Sequence, residues 1–285
     1  MGFSVNSNIG AMAALQSLNE TNKGLSQVQS RINTGLKVAS TKDDSASYTI
    51  AQSLRGDLGG LQSVSASLSR AKSVTDVAVA GAEQISDLVN QMKAKATQAA
   101  DDGIDQASRD AINKDFVALR DQITTIVNAS EFNGTNLLKS GGGTVTALQS
   151  LKDGDTTSAT TWDPDSLDVA NQGLDLGGSV VTVGDTHEIA TQADAQAMVD
   201  TLTTTQDNMS TSLSDLGAAS RKIDAQASFT SKLSDVIEAG IGNLVDADLA
   251  KESAKLQALQ VKQQLGVQAL SIANQAPQTI MSLFR

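Results

Sequence analysis

The sequence predicts a mainly α-helical protein, in which long helices from both chain ends form a coiled coil or helical bundle around a small β-containing inserted module. Apolar residues recur at helical and heptad spacing near both ends. The first proline is Pro164, so no proline interrupts the helices before it. Residues 140 to 191 are instead rich in Gly, Thr, Ser and Asp. With only 2% aromatic residues, slender helices are favoured over a thick globular core.

The first helix is predicted from Asn8 to about Leu36. Leu18, Leu25 and Ile32 are seven residues apart, and Val28 lies three residues after Leu25. This spacing is typical of a coiled-coil seam. Gly35 and a Ser/Thr/Asp cluster then predict a loop near residues 34 to 46.

Two further helices are predicted before the insert. Helical spacing resumes at Ile50 and stops at the turn residues Asp101, Asp102 and Gly103. The segment from about Ser108 to Ala129 is the cleanest amphipathic helix in the sequence. Its apolar positions are Ile112, Phe116, Leu119, Ile123 and Ile126.

The insert at 140–191 carries the β-like runs VTAL and SVVTV and the polar run DGDTTSATT at 153–161. Helical periodicity returns from Met198, and the helix is expected to end near Gly240 to Gly242. The last segment has two heptad rows, which are Leu249, Leu256, Gln263 and Leu270 on one face and Ala258, Leu265 and Ile272 on another. Apolar residues on two faces of one terminal helix predict partners on both sides.

Composition argues against several functions. The net charge is −11 and the basic residues are scattered singly, so no basic surface for nucleic acid or anionic membrane is expected. No stretch approaches the roughly 20 apolar residues of a membrane span, and the start of the chain has no signal-peptide pattern. Cysteine is absent, which excludes disulfides and thiolate zinc sites.

No catalytic, cofactor-binding or metal site is predicted, and the chain is not expected to be an enzyme. His187 begins a run similar to HExxH, but Thr191 occupies the position of the second histidine that zinc would require. The carboxylate pairs Asp43 with Asp44 and Asp246 with Asp248 could serve acid–base chemistry or bind a cation. Their position at predicted helix starts favours capping of free N–H groups instead.

Four motifs in order resemble bacterial flagellins. The segment RINTGLKVASTKDDSASYTIAQSLR is similar to the family's N-terminal turn and resumed helix, and SEFNGTNLL to the motif that closes its N-terminal helical block. VDADLAKE and the ending ANQAPQTIMSLFR resemble the C-terminal motifs. The matching residues are Arg31, Asn33, Lys42, Asp43, Asp44, Phe132, Asn133, Gly134, Asp246, Asp248, Asn274, Gln275, Pro277 and Gln278.

The resemblance implies a structural subunit that polymerises into the flagellar filament for motility. It implies a terminal coiled coil from 1–40 and 245–285, a helical rod domain from 41–139 and 192–244, and a variable, surface-exposed outer module at 140–191. It further implies type III export to the extracellular filament, and partners comprising other copies of the chain, an export chaperone, the filament cap and the hook-junction proteins. A hook-filament junction protein, or another type III-secreted coiled-coil protein, is the alternative.

The residues predicted to carry polymerisation are the terminal heptad positions. They are Leu18, Leu25, Val28, Ile32, Leu249, Leu256, Leu259, Leu265 and Leu270. Burial of each leucine contributes about 1.5–3 kcal/mol to association. The Gly and Ser positions near 34–46 and 240–242 are interpreted either as sites of alternative packing or as simple connectors.

Overall fold

The structure, a computed structural model, describes residues 8–153 and 164–283, with side chains described for 8–151 and 164–275. It confirms a mainly helical protein with a small β-sheet. The described elements are α1 (Ile9–Thr34), α2 (Ser45–Ala99), α3 (Gln106–Ala129), β1 (Val145–Asp153), β2 (Pro164–Val169), α4 (Gln192–Val245) and α5 (Leu249–Leu283). The run at 153–161 falls almost wholly outside the described residues.

The chain divides into two compact units. Residues 1–56 and 236–285 form the first, which we call the terminal unit, and residues 57–235 form the second, the central unit. The central unit contains a large apolar core to which α2, α3 and α4 contribute. Leu68, Ile85, Phe116 and Leu202 are fully buried there.

The inserted segment packs onto this same core. β1 and β2 pair antiparallel, with Val145 opposite Val169 and Ala147 opposite Leu167. These four side chains are buried because they share one face of the two-stranded sheet, and they join the cluster formed by the helices. Two strands alone have too little apolar contact for stability, so packing on the helices stabilises them. Residues 140–191 therefore have no separate apolar core among the described residues.

Two expectations from the sequence are wrong. The run SVVTV at 179–183 is not a strand, although Val181 and Val183 are buried in the central core. Alternating apolar residues indicate burial, whereas strand pairing needs a partner edge, which β1 finds in β2.

The helix expected to end near Gly240 to Gly242 instead continues to Val245. A glycine inside a helix costs about 1 kcal/mol. Burial of Ile241 and Val245 against Val38 offsets this cost, because these residues form a small apolar cluster in the terminal unit. The nearby loop between α1 and α2 occupies residues 35–44, as predicted.

The segment after α3 is held by a buried asparagine that sequence reasoning did not single out. Phe132 and Thr135 exchange two backbone hydrogen bonds across a turn whose central residues, Asn133 and Gly134, have φ of 52° and 81°. The side-chain amide of Asn136 donates to the Val127 carbonyl at 2.6 Å. Its side-chain oxygen accepts from the backbone N–H groups of Leu138 and Lys139. The turn residues thus position Asn136, which ties the chain to the end of α3.

Candidate assembly interface at the paired chain ends

Helices α1 and α5 have well-defined starts. The side chain of Asn8 accepts a hydrogen bond from the Ala11 N–H and caps α1, which ends where Gly35 takes a left-handed φ of 72°. At the start of α5, the Asp248 carboxylate accepts from the Lys251 N–H at 3.1 Å. Both helices lie within the terminal unit and pack against each other.

The seam between α1 and α5 uses leucine against glycine in both directions. A methyl group placed on Gly24 would lie 3.5 Å from Leu259 Cδ1, and one placed on Gly266 would lie 3.3 Å from Leu18 Cδ1. Each leucine therefore sits over a glycine of the opposite helix. A methyl group would make an ordinary contact at Gly24 and a tight one at Gly266, so the close approach favours glycine over alanine at Gly266.

Polar contacts fix the two helices as antiparallel. Asn8, at the start of α1, donates to the Ala273 carbonyl late in α5 at 2.7 Å. Gln263, near the middle of α5, donates to the Asn22 side chain at 2.8 Å. Early positions of one helix thus meet late positions of the other.

An ion pair closes the other end of the seam. Arg31 Nη1 lies 3.2 Å from Glu252 Oε1, and the two side chains are only 23% and 11% exposed. Arg31 Nε and Glu252 Oε2 are buried and have no hydrogen-bond partner among the residues that the structure describes. Glu252 ends the motif VDADLAKE but was not predicted as an interface residue, although it lies one turn before Leu256 in the row of α5 that faces α1.

The structure places most of the predicted polymerisation residues in this intramolecular seam. Val28 is buried, with 1% of its surface exposed. Six others are half-buried, namely Leu18, Leu25, Ile32, Leu256, Leu259 and Leu270. Leu249 and Leu265 are instead 49% and 57% exposed.

Large apolar side chains remain outside the seam. On α1, Ile9, Met12 and Leu15 are 73%, 60% and 48% exposed. On α5, helical periodicity puts Val261, Leu265 and Ile272 on the face opposite the seam. We call these six residues the outer apolar positions. These exposed apolar side chains are the candidates for an interaction site on the paired ends.

The loop between α1 and α2 is stabilised by the predicted carboxylate pair. The hydroxyl of Ser40 donates to Asp43, whose carboxylate also accepts from two backbone N–H groups, and the pKa of Asp43 is lowered accordingly. Asp44 caps the first turn of α2, and the hydrogen bond from the Ser47 hydroxyl holds its pKa below the ordinary value. These contacts assign both aspartates to local structure.

The second carboxylate pair lies between α4 and α5. Asp246 forms a single backbone bridge with Leu36, and the Lys37 N–H donates to the Val245 carbonyl at 2.7 Å. This connection ties the loop at 35–44 to the end of α4 within the terminal unit. Asp248 caps α5, as described above.

The remaining residues that match the flagellin motifs occupy the surface where they are described. Asn33, Lys42, Asn274 and Gln275 are exposed, and Phe132 is 40% exposed in its turn. Pro277 and Gln278 lie in α5, but their side chains are outside the described residues.

The run that begins with His187 has no zinc-binding geometry. His187 is exposed and its ring accepts from the Gly184 N–H, while Glu188 accepts from Asn113. Thr191 instead accepts from the Asp194 N–H at the start of α4. In the described ranges there is no cluster of three potential metal ligands. The described helices also include none with the length and apolarity to cross a membrane.

Comparison with known proteins shows matches at both ends and over the full length. The family model for the bacterial flagellin N-terminal helical region matches residues 5–142. The model for the bacterial flagellin C-terminal helical region matches residues 197–284. Flagellin FljM of Caulobacter vibrioides is 45% identical over 99% of this chain and 98% of its own length. A flagellin of Brucella melitensis is 34% identical over 99% of each chain.

The crystal structure of Bacillus cereus flagellin is 20% identical to this chain and covers 66% of it and 93% of its own length, with a TM-score of 0.39.

Proposed function

This chain belongs to the bacterial flagellin family and is a structural subunit that polymerises into the flagellar filament, and we propose that the outer apolar positions of its paired ends carry that polymerisation. The observation that carries the proposal is that α5 has two apolar faces, of which only one is covered by α1. Leu256, Leu259 and Leu270 are used in the seam with α1, whereas Val261, Leu265 and Ile272 are left in solvent.

Burial of the outer apolar positions would release the free energy that polymerisation needs. Burial of one large aliphatic side chain contributes about 1.5–3 kcal/mol. Among the described residues, α1 and α5 cover only each other's seam faces, so the outer apolar positions are available to another copy of the chain. A contact between two different surface patches, repeated with a rotation that does not close, builds an open helix. Leu265, predicted from sequence, is one of the outer apolar positions, and Leu249, also predicted, is 49% exposed nearer the start of α5.

The paired ends are mobile in the monomer under this proposal. The α1–α5 seam contains two glycines and several polar residues, so its own packing is weak compared with the central core. Assembly then orders the ends by burying their outer faces. Limited proteolysis of soluble monomer is expected to remove both ends first and to leave residues 57–235, and equal resistance of all segments would contradict this.

The finer assignments from the sequence belong to the same proposal. The subunit is exported through the flagellar type III apparatus and works outside the cell, where it meets its export chaperone, the filament cap and the hook-junction proteins. It has no catalytic activity. Residues 1–40 and 245–285 form the inner coiled coil, 41–139 and 192–244 the rod, and 140–191 the surface module. Full-length similarity to flagellins supports these assignments over the junction-protein alternative.

The test is seeded elongation of purified full-length monomer on filament fragments. Leu265→Asp is expected to stop elongation, because an aspartate cannot be buried unpaired in an apolar contact. Gln264→Asp is the matched control, since it adds the same charge one residue away and about 100° around the helix. Both variants should retain the helical circular dichroism and thermal unfolding of the central unit. Elongation of Leu265→Asp at the rate of the unsubstituted chain would overturn the proposal.

A further inference from the structure

A second unpartnered stripe lies on α4 in the central unit. Lys222, Ala225, Phe229 and Lys232 follow one another at intervals of three, four and three residues and are all exposed. Phe229 is 58% exposed, which is unusual for one of only five phenylalanines in the chain. We call these four residues the basic stripe. Within the described residues neither lysine has an ion-pair partner.

A stripe of opposite charge lies on α2 in the same unit. Asp76, Ala80, Glu83 and Asp87 are spaced by four, three and four residues and are exposed. We call them the acidic stripe. Asp76 contacts Lys72 of its own helix at 3.5 Å, whereas Glu83 and Asp87 have no ion-pair partner in the described parts of the chain.

We propose that the basic stripe of one subunit packs against the acidic stripe of a neighbouring copy in the filament. This goes beyond the terminal contacts and rests on the proposed polymerisation only in that it needs an assembled filament. The stripes match when the helices run antiparallel, because the lysines are about 15 Å apart and the outer aspartates about 17 Å apart at 1.5 Å per residue. The resulting pairs are Lys222 with Asp87, Phe229 with Ala80, and Lys232 with Asp76.

Side-chain sizes agree with this register. Alanine at position 80 leaves room on the acidic stripe for an aromatic ring, and Phe229 is the only large apolar side chain on the basic stripe. An aromatic side chain seated in a recess and surrounded by charged pairs is the usual arrangement of an energetically dominant contact. The flanking charges add specificity, since a shift of one turn would place Lys232 opposite Ala80 or Lys72 instead of Asp76.

The direction of the helices also agrees. Within the central unit α2 and α4 are antiparallel, because Lys72 contacts Asp224 at 2.9 Å and Lys93 contacts Gln206 at 3.1 Å. Successive subunits of a filament point the same way, so the α4 of one copy lies beside the α2 of the next in the antiparallel sense. A second copy therefore presents the acidic stripe in the orientation that the basic stripe requires.

Seeded elongation of the full-length chain tests the apolar contact. Phe229→Asp is expected to raise the critical monomer concentration about tenfold or more. Ser228→Asp adds the same charge to an exposed neighbouring position on another face of α4 and is expected to leave that concentration within about twofold. Equal critical concentrations for the two variants would overturn the proposal, and unchanged circular dichroism of both monomers excludes misfolding as the cause.

Charge reversal tests the register. Lys222→Asp and Asp87→Lys are each expected to raise the critical concentration, and the double variant is expected to restore it to within about threefold of the unsubstituted value. Failure of the double variant to recover, with both single variants folded, would overturn the pairing.

Crosslinking tests proximity directly, because the chain has no cysteine of its own. Monomers carrying Phe229→Cys are mixed with monomers carrying Ala80→Cys, assembled on seeds and oxidised with copper phenanthroline. A disulfide-linked dimer that contains one copy of each variant is expected in filaments and absent from unassembled monomer. Filaments without this dimer would overturn the proposal. Normal assembly of Phe229→Asp together with arrest of Leu265→Asp would reject the stripes alone, and the opposite pattern would reject only the terminal contacts.

Discussion

The ion pair between Arg31 and Glu252 gives the sharpest test of the seam between the chain ends. We expect Glu252→Ala to weaken the filament, because Arg31 then remains half-buried without its ion-pair partner. We expect Arg31→Met combined with Glu252→Leu to assemble at least as well as the unsubstituted chain. Both atoms that lack hydrogen bonds, Arg31 Nε and Glu252 Oε2, disappear in the double variant.

The magnitude follows from the distance and the exposure. Two unit charges separated by 3.2 Å attract by about 5 kcal/mol at an effective dielectric constant near 20, and desolvation offsets much of this. Removing one partner costs about 3–5 kcal/mol for a buried pair and about 0–1 kcal/mol for an exposed one. Since the arginine side chain is 23% exposed and the glutamate side chain 11%, we expect a loss of about 1–3 kcal/mol. This corresponds to a factor of about 5 to 150 in the association constant.

The assay is the critical concentration for seeded elongation at fixed ionic strength, measured by sedimentation of filaments. The unsubstituted chain, Arg31→Met, Glu252→Leu and the double variant form a double-mutant cycle. Their critical concentrations together give the coupling energy between Arg31 and Glu252. Lys255→Met, an exposed position on α5 without an ion pair, is the matched control. A coupling energy below about 0.5 kcal/mol, or a double variant weaker than either single variant, would refute the reasoning.

Three further outcomes are expected in the soluble monomer. Gly81→Ala would place a methyl group 2.7 Å from Leu138 Cδ1, and this overpacking is expected to cost about 1–3 kcal/mol in thermal unfolding, whereas a stable variant would contradict the packing. Asn136→Ala removes three hydrogen bonds at a residue that is 4% exposed, and the melting temperature should fall by about 2–4 °C per kcal/mol lost. Because the hydrogen bond from Ser47 lowers the pKa of Asp44 below 3.8, its contribution is present above about pH 4 and is lost as the pH falls through the lowered pKa. The protection factors for amide exchange in the first turn of α2 should therefore fall as the pH drops below about 4 in the unsubstituted chain and show no such step in Asp44→Asn.

The sequence determines the helical character of this protein because an amphipathic helix requires apolar residues at a spacing of three or four, which is visible in the sequence. The 3, 4 spacing of apolar residues in α3 and the capping residue Asn8 of α1 depend only on local geometry. The loop at 35–44 follows in the same way from Gly35 and the aspartates beside it. The four motifs in order identify the family, and their meaning comes from resemblance rather than from spacing.

The local sequence pattern predicts the wrong secondary structure where a tertiary contact determines the conformation. Val181 and Val183 alternate like a strand, but the core of helices covers them without any strand pairing. Gly240 and Gly242 look like a helix end, yet burial of Ile241 next to them keeps α4 continuous. In both cases a tertiary contact outweighs a local preference of about 1 kcal/mol.

The two heptad rows of α5 show the same limit at the candidate interface. Leu256 in one row and Leu265 in the other are equivalent by composition, and the sequence predicts only that two faces need partners. The tertiary structure decides which face meets α1, because Gly24 provides the recess for Leu259 and Gly266 the recess for Leu18. Such a recess exists only when two helix backbones lie close together, so it cannot be predicted from the sequence of either helix alone. Sequence thus determined that the ends associate, and the antiparallel packing of α1 on α5 decided which of their residues remain exposed.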